Sequence, residues 1–169
     1  ETADCPVCGK EVLRKNITGD IETKVENGFP SPALAQEEIL LISVLEVDTN
    51  KTVTFGAKPW NGSQEGVTYN YCRDEALLLR EFLNYWQQNY PHVASGWNTP
   101  MFDFPYLYNR ICKVLGESYA AKLSPWGQVK VKAGQFRGEE EYSCEILGIA
   151  QLDYLDLYKK FTYTAQESY

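Results

Sequence analysis

Basic residues are in short supply. The 169-residue chain holds 16 Lys and Arg against 23 Asp and Glu, a formal net charge of −7. Taken alone, that balance argues against a nucleic-acid-binding surface, because phosphates are contacted by Lys and Arg. The shortage is uneven: Lys130 and Lys132 fall close together, Lys159 and Lys160 are adjacent, and a site built for hard cations is acidic by necessity. Histidine is scarcer still, with His92 alone. Cys5 and Cys8 make a C-x-x-C knuckle, but no second pair follows, and a closed zinc site takes four ligands. The expectation for residues 1–12 is an N-terminal turn, with a site completed by further chain as the alternative. The five cysteines are an odd number, and Cys72, Cys112 and Cys144 lie scattered, which points to free thiols in a reducing compartment. No apolar run approaches the roughly 18 residues of a membrane span, so no membrane is expected as a partner. No signal-peptide pattern is present, so the sequons at Asn16, Asn50 and Asn61 are read as chance. The chain begins at Glu1 rather than Met, as expected of a piece of a longer protein.

What is present is enough for one domain with a real core, since 44% of the residues are hydrophobic. The stretch Ile17-Thr18-Gly19-Asp20-Ile21-Glu22-Thr23 reads as a strand. Side chains two apart on a strand share a face, so Asp20 and Glu22 project together while Ile21 turns inward. Two adjacent carboxylates repel and are costly to bury unpaired. A divalent cation relieves both problems. The strand is therefore half of a candidate metal site.

After it come Gly28, Phe29, Pro30 and Pro32, a turn that exposes a large aromatic between breakers. Residues 38–47 form a β-prone run that turns at 48–51 into 52–55, a hairpin that completes a three-strand meander. Residues 67–71 are a short strand. Residues 73–89 form the clearest helix, with Leu78, Phe82, Tyr85 and Trp86 at helical spacing. A short buried strand over 92–97, a loop over 98–103, a helix over about 104–115 and a short helix over 117–122 follow. Residues 127–147 alternate as a projecting hairpin with its tip at 134–138. Residues 148–158 begin as a strand and are expected to turn helical around Asp156. Three antiparallel strands followed by helix, strand, helix, strand is the order of an α/β ribonuclease-H-like fold, a mixed sheet flanked by helices. Its first strand lies centrally, beside the end of the fourth, which would carry Asp103 to Asp20 and Glu22.

Asp20-Ile21-Glu22 matches the D-x-E first motif of the DEDD 3′→5′ exonucleases, and Asn98-x-x-x-Phe102-Asp103 matches the second motif of proofreading exonucleases in B-family DNA polymerases. Trp86-Gln87-Gln88, Gly96-Trp97-Asn98, Tyr106-Leu107-Tyr108-Asn109-Arg110, Leu123-Ser124-Pro125 and the run from Leu152 to Phe161 resemble the T-even-type phage members. The resemblance covers about 16–169, the expected exonuclease domain, and leaves 1–15 as a segment of uncertain role. It implies hydrolysis of the 3′-terminal phosphodiester of DNA with two Mg²⁺ or Mn²⁺ ions. Asp20 would bridge both ions, Glu22 would bind the one beside the nucleophile, and Asp103 would bind the second. It further implies that Asn98 and Phe102 position the terminal nucleotides, that Phe29 stacks on an unpaired base, and that Phe136 and Arg137 at the hairpin tip touch DNA. The partners implied are the single-stranded 3′ end of a primer and the remainder of the polymerase. The implied location is the cytoplasm of an infected bacterial host. The family's third motif, Y-x-x-x-D, does not occur here. Tyr163-x-x-x-Glu167 has the spacing with the wrong acid, so the chain is expected to end before that motif and to be weak or inactive alone. Two rivals stay open: a non-catalytic module that binds a 3′ single strand, and a stand-alone DEDD exonuclease acting on RNA. Asp153 and Asp156 are expected to be structural acids near a helix start.

Overall fold

The computed structural model describes residues 2–4, 11–13, 15–24, 28–136 and 139–162. The Cys5/Cys8 knuckle, the tip residue Arg137 and Tyr163–Glu167 lie outside them. In the N-terminal segment two short strands pair, β1 (Thr2–Asp4) and β2 (Glu11–Leu13), and the turn expected around Cys5 and Cys8 lies outside the described residues.

The main sheet has six strands: β3 (Asn16–Thr23), β4 (Ile39–Glu46), β5 (Lys51–Gly56), β6 (Val67–Tyr71), β7 (Val93–Gly96) and β10 (Ala150–Asp153). Their spatial order is β10-β7-β3-β4-β5-β6. The meander β3-β4-β5 is antiparallel, while β6 joins β5, and β7 joins β3, in parallel. The ribonuclease-H-like arrangement expected from the element order is thus present, with β3 central. Alternation sets the faces. Ile17 and Ile21 of β3, with Ile42 and Val44 of β4, are buried, and Asp20 and Glu22 take the alternate positions and are exposed.

Helix α1 (Glu75–Gln88) starts at Asp74, whose carboxylate accepts from Leu77 N at 2.8 Å, a regular N-cap. It buries Leu78, Leu79, Phe82, Leu83 and Trp86 over the meander. Helix α2 (Asp103–Val114) buries Phe104, Leu107 and Ile111, and its Pro105 sits in the first turn, where a missing N–H leaves no bond unmade. An aromatic chain links sheet to helices. The Phe55–Phe82, Phe82–Trp86 and Trp86–Phe104 ring centroids lie 6.1, 5.4 and 6.4 Å apart. The short helix α3 (Glu117–Ala120) and a 3-10 turn follow, and Trp86 Nε1 donates to Leu123 O of that turn at 2.8 Å.

The projecting hairpin is β8 (Val129–Phe136) with β9 (Glu139–Ile146). Its base is held to the body where Cys144 N donates to Pro100 O at 3.0 Å. Burial of the Cys144 thiol pushes it up to about 12, so it is inert, and Cys72, Cys112 and Cys144 are all free. Strand β10 leads into α4 (Tyr154–Phe161). This helix begins two residues before Asp156, because Asp153 caps it by accepting from Leu155 N at 2.9 Å.

Replacing Trp86 with Phe removes the indole N–H and leaves Leu123 O unpaired beside a small void. Urea unfolding is expected to show a loss of about 1–3 kcal/mol.

Candidate active site

The site forms where two parallel strands part. Strand β7 pairs with β3 only over Asn16↔Val93, Ile17↔Ala94 and Thr18↔Ser95, sealed by Ser95 Oγ donating to Ile17 O at 2.9 Å. Beyond Gly96 the chain leaves the sheet and turns back as α2. The next inward amide of β3, Ile21 N–H, is met by the first residue of that helix: it donates to Asp103 Oδ1 at 3.3 Å. Asp103 is 6% exposed. Burial, and then the adjacent Asp20 carboxyl hydrogen-bonded to it, push the Asp103 carboxyl up to about 7 against the pull of the Ile21 and Asp103 amides.

The turn between β7 and α2 is tightly specified. Asn98 has φ of 59°, a left-handed conformation that Asn tolerates better than most residues. Its carbonyl accepts from Met101 N and Phe102 N at 3.1 and 2.9 Å. Its own N–H donates to Asp153 Oδ1 at 2.8 Å, the same oxygen that caps α4. Gly96 is required by close approach, since a Cβ there would sit 2.0 Å from Thr99 Oγ1 and 3.0 Å from Gly19 O. Thr99 Oγ1 is buried without a hydrogen-bond partner. It borders a cavity of about 20 Å³ that Asp20, Asp103, Ile17 and Trp86 also line, room for about one water molecule.

Phe29 is 84% exposed, as expected from its turn, and its ring centroid is 5.0 Å from that of Phe102, the residue before Asp103. Phe29, Phe102, Ile21, Glu22 and Pro30 line an open cavity of about 470 Å³. Glu22 therefore stands at the mouth of the aromatic cavity, while Asp20 and Asp103 form a contact pair beside it. Among the described residues no three His, Cys, Asp or Glu side chains are close enough together to hold a metal ion. On the far side of the 98–102 turn, Asn98, Tyr142, Asp153, Asp156 and Lys159 border a second open cavity of about 350 Å³. Phe136 belongs to β8, with Arg137 outside the described residues.

The structure thus places Asp20 with Asp103 on one small cavity and Glu22 with Phe29 and Phe102 on the neighbouring open one, with Asn98 shaping the turn, and does not gather Asp20, Glu22 and Asp103 into one cluster. Sequence reasoning missed Thr99 and the hold of Asp153 on Asn98. Thr99 carried the signal of lying inside the second motif; the Asp153 bond, spanning 55 residues, carried none. The donor set fits a hard divalent cation. Two neighbouring carboxyls, one pushed up by burial and by the other's charge, are the kind of oxygen ligand Mg²⁺ takes alongside water and substrate phosphate.

The sequence pattern for the family described as DNA polymerase family B, exonuclease domain, matches residues 14–169. The chain is 34% identical over 175 residues to a DNA-directed DNA polymerase of Escherichia phage RB69, an alignment covering 89% of this chain and 19% of that protein. It is 42% identical over 105 residues to a DNA-directed DNA polymerase of Enterobacteria phage T4, covering 61% and 12%. The chain thus spans less than a fifth of the length of these curated relatives.

The pH response of the cation-free protein follows from Asp103. Its carboxyl holds a proton more tightly folded, at about 7, than at its ordinary 3.8. The folded state thus binds more protons, and stability decreases with pH between these values. Comparison with Asp103→Asn by urea unfolding in a chelator is expected to show the Asp103 contribution fully present below about pH 4 and lost, approaching about 4 kcal/mol, as pH rises through about 7. Asp103→Asn should flatten that decline, and added Mn²⁺ should offset it.

Proposed function

The chain belongs to the exonuclease-domain family of family B DNA polymerases, and on that footing we propose that it hydrolyses the 3′-terminal phosphodiester of single-stranded DNA, as the proofreading part of a phage polymerase. The observation that carries this reading is the placement of Asp20 and Asp103 on one small cavity, with Asp103 Oδ1 bonded to Ile21 N of the Asp20 strand, beside exposed Phe29 and half-buried Phe102. We take residues 16–169 as the exonuclease domain, the rest of a polymerase chain as its partner, and the cytoplasm of an infected bacterial host as its location. No helix among the described residues is long and apolar enough to cross a membrane.

Asp20 and Asp103, with Glu22 at the cavity mouth, would hold Mg²⁺ or Mn²⁺, which when bound supplies an activated water and stabilises charge on the leaving 3′ oxygen. The chain's own residues do the rest. Phe29 and Phe102 offer the 470 Å³ cavity to the last base; stacking on an aromatic contributes about 1–3 kcal/mol and is indifferent to sequence, as removal of any mispaired base requires. Asn98 sets the turn that delivers Asp103 and Phe102 together. Asp103, buried and hydrogen-bonded to the strand, holds its oxygen in place and would give up its proton to make room for a cation, so ion binding at neutral pH is expected to release protons. Phe136 ends the first strand of a hairpin whose base is bonded to Pro100 of the same turn, which suits contact with the strand leading into the site; the same contact is proposed for Arg137, which lies outside the described residues.

The test is trimming of a 3′-labelled single strand, DNA and RNA in parallel, by the full-length protein containing this chain, with Mn²⁺ present. DNA trimming is expected. Asp20→Ala is expected to lower kcat by roughly 10³-fold, equivalent to about 4 kcal/mol of transition-state stabilisation. Phe29→Ala should chiefly raise KM, by roughly 5-fold or more, the equivalent of about 1 kcal/mol of stacking. Binding of the 3′ end with no trimming would favour the non-catalytic module, and trimming of RNA alone would overturn the DNA assignment.

A further inference from the structure

One face of α2 holds the backbone of the loop that presents Phe29. Tyr106, Asn109, Arg110 and Lys113 fall at helical i, i+3, i+4 and i+7 spacing and so share a face. Each donates to main-chain carbonyls of residues 32–37. Asn109 Nδ2 donates to Pro32 O at 2.8 Å. Lys113 Nζ donates to Leu34 O and, at 3.5 Å, to Ala35 O. The Arg110 guanidinium donates to Ala35 O at 3.3 Å and Gln36 O at 2.8 Å. Tyr106 OH donates to Glu37 O at 2.8 Å. The loop also folds on itself, Ala35 N donating to Ser31 O at 2.7 Å, and carries buried Ala35 at φ of 40°.

Arg110 is the centre of this set. Its fork meets Glu75 of α1 in a bidentate pair, Nε to Oε1 at 2.7 Å and the outer nitrogen to Oε2 at 2.6 Å. Both side chains are nearly buried, at 13% and 11% exposure, and Glu75 Oε1 accepts from Ile39 N at 2.8 Å, where the loop enters β4. An irregular segment must place its carbonyls somewhere, and Arg and Lys are donors only, so they can satisfy several without needing return bonds. The result goes beyond satisfaction, however. The helix that places Asp103 at its first turn fixes the loop that places Phe29, and Phe29 lies against Phe102 at that same first turn.

We propose that Arg110, braced by Glu75, is a positioning residue that sets the terminal base's stacking platform at a fixed distance from the Asp20–Asp103 pair, and so governs productive binding of the 3′ end. This rests on the 3′-exonuclease reading above. The clamp touches neither the acid pair nor the small cavity beside it, so its loss acts on placement of the strand end rather than on the chemical step.

The full-length protein is assayed on single-stranded DNA ending in 2-aminopurine, with Arg110→Met, Asn109→Ala, Phe29→Ala and the Arg110→Met/Phe29→Ala double variant. Amide hydrogen exchange over 33–38 is followed alongside. Arg110→Met is expected to raise KM by up to about fivefold, no more than Phe29→Ala does, with kcat within about twofold, to reduce quenching of the terminal 2-aminopurine, and to speed exchange over 33–38. In the Phe29→Ala background it should add nothing, because the two act through one platform. Asn109→Ala, which leaves the buried pair intact, should show the same pattern more weakly, and it decides the matter if Arg110→Met does not fold. Multiplicative effects of Arg110→Met and Phe29→Ala, a fall in kcat at unchanged KM, or unchanged exchange would each overturn the proposal while wild-type trimming stands. Absence of trimming by the wild type would instead reject the exonuclease reading, and the positioning role with it.

Discussion

A single backbone amide organises this molecule. Ile21 N–H lies just past the point where β7 stops pairing with β3, and an interior amide left without an acceptor is costly. Asp103 supplies the acceptor, but in doing so it is drawn from water and set against Asp20. The bond that completes the sheet therefore creates the electrostatic conflict of the site. A carboxylate at a helix N-terminus is ordinarily comfortable. Here burial and a like charge outweigh the two amides and the helix end, which leaves the pair receptive to a positive ion.

The surrounding structure can be understood as what keeps that conflict from relaxing. If the β7–α2 turn could loosen, Asp103 would swing into solvent and ionise. The left-handed Asn98, the tight packing of Gly96 on Thr99 and the buried aromatic chain from Phe55 to Phe104 all hold the first turn of α2 against the sheet. The carbonyl-binding face of the same helix then extends this rigidity to the Phe29 loop. The acid pair and the Phe29–Phe102 pair are thereby tied through one helix, although they come from segments far apart in sequence.

Much of this was legible beforehand, because it is carried by side-chain pattern. Alternation placed Asp20 and Glu22 on one face and Ile21 on the other. Helical spacing found α1 and α2 to within two residues, and the second motif located Asp103 at a strand-to-helix turn. What was not legible depends on the main chain. The carbonyls of residues 32–37 have no sequence label, so nothing marked Tyr106, Asn109, Arg110 and Lys113 as their donors. The start of α4 was expected near Asp156 because an acid in a first turn is a weak positional signal, whereas the cap that fixes it, Asp153, is also occupied by a distant amide. Pairing of the segments on either side of Cys5 and Cys8 was not foreseen, because three-residue strands carry too little alternation to stand out from the expected turn.

Asp153 Oδ1 accepts from Leu155 N and from Asn98 N at once, so the end of one element and the turn of another meet on a single atom. What that position requires is an acceptor at a given reach, and charge is secondary. Asparagine keeps an oxygen at that reach and glutamate does not, so the substitution that preserves charge is the disruptive one. Among relatives, exchange between Asp and Asn there would be the mark of a conserved geometry, and a similarity score that favours Asp for Glu would misjudge it.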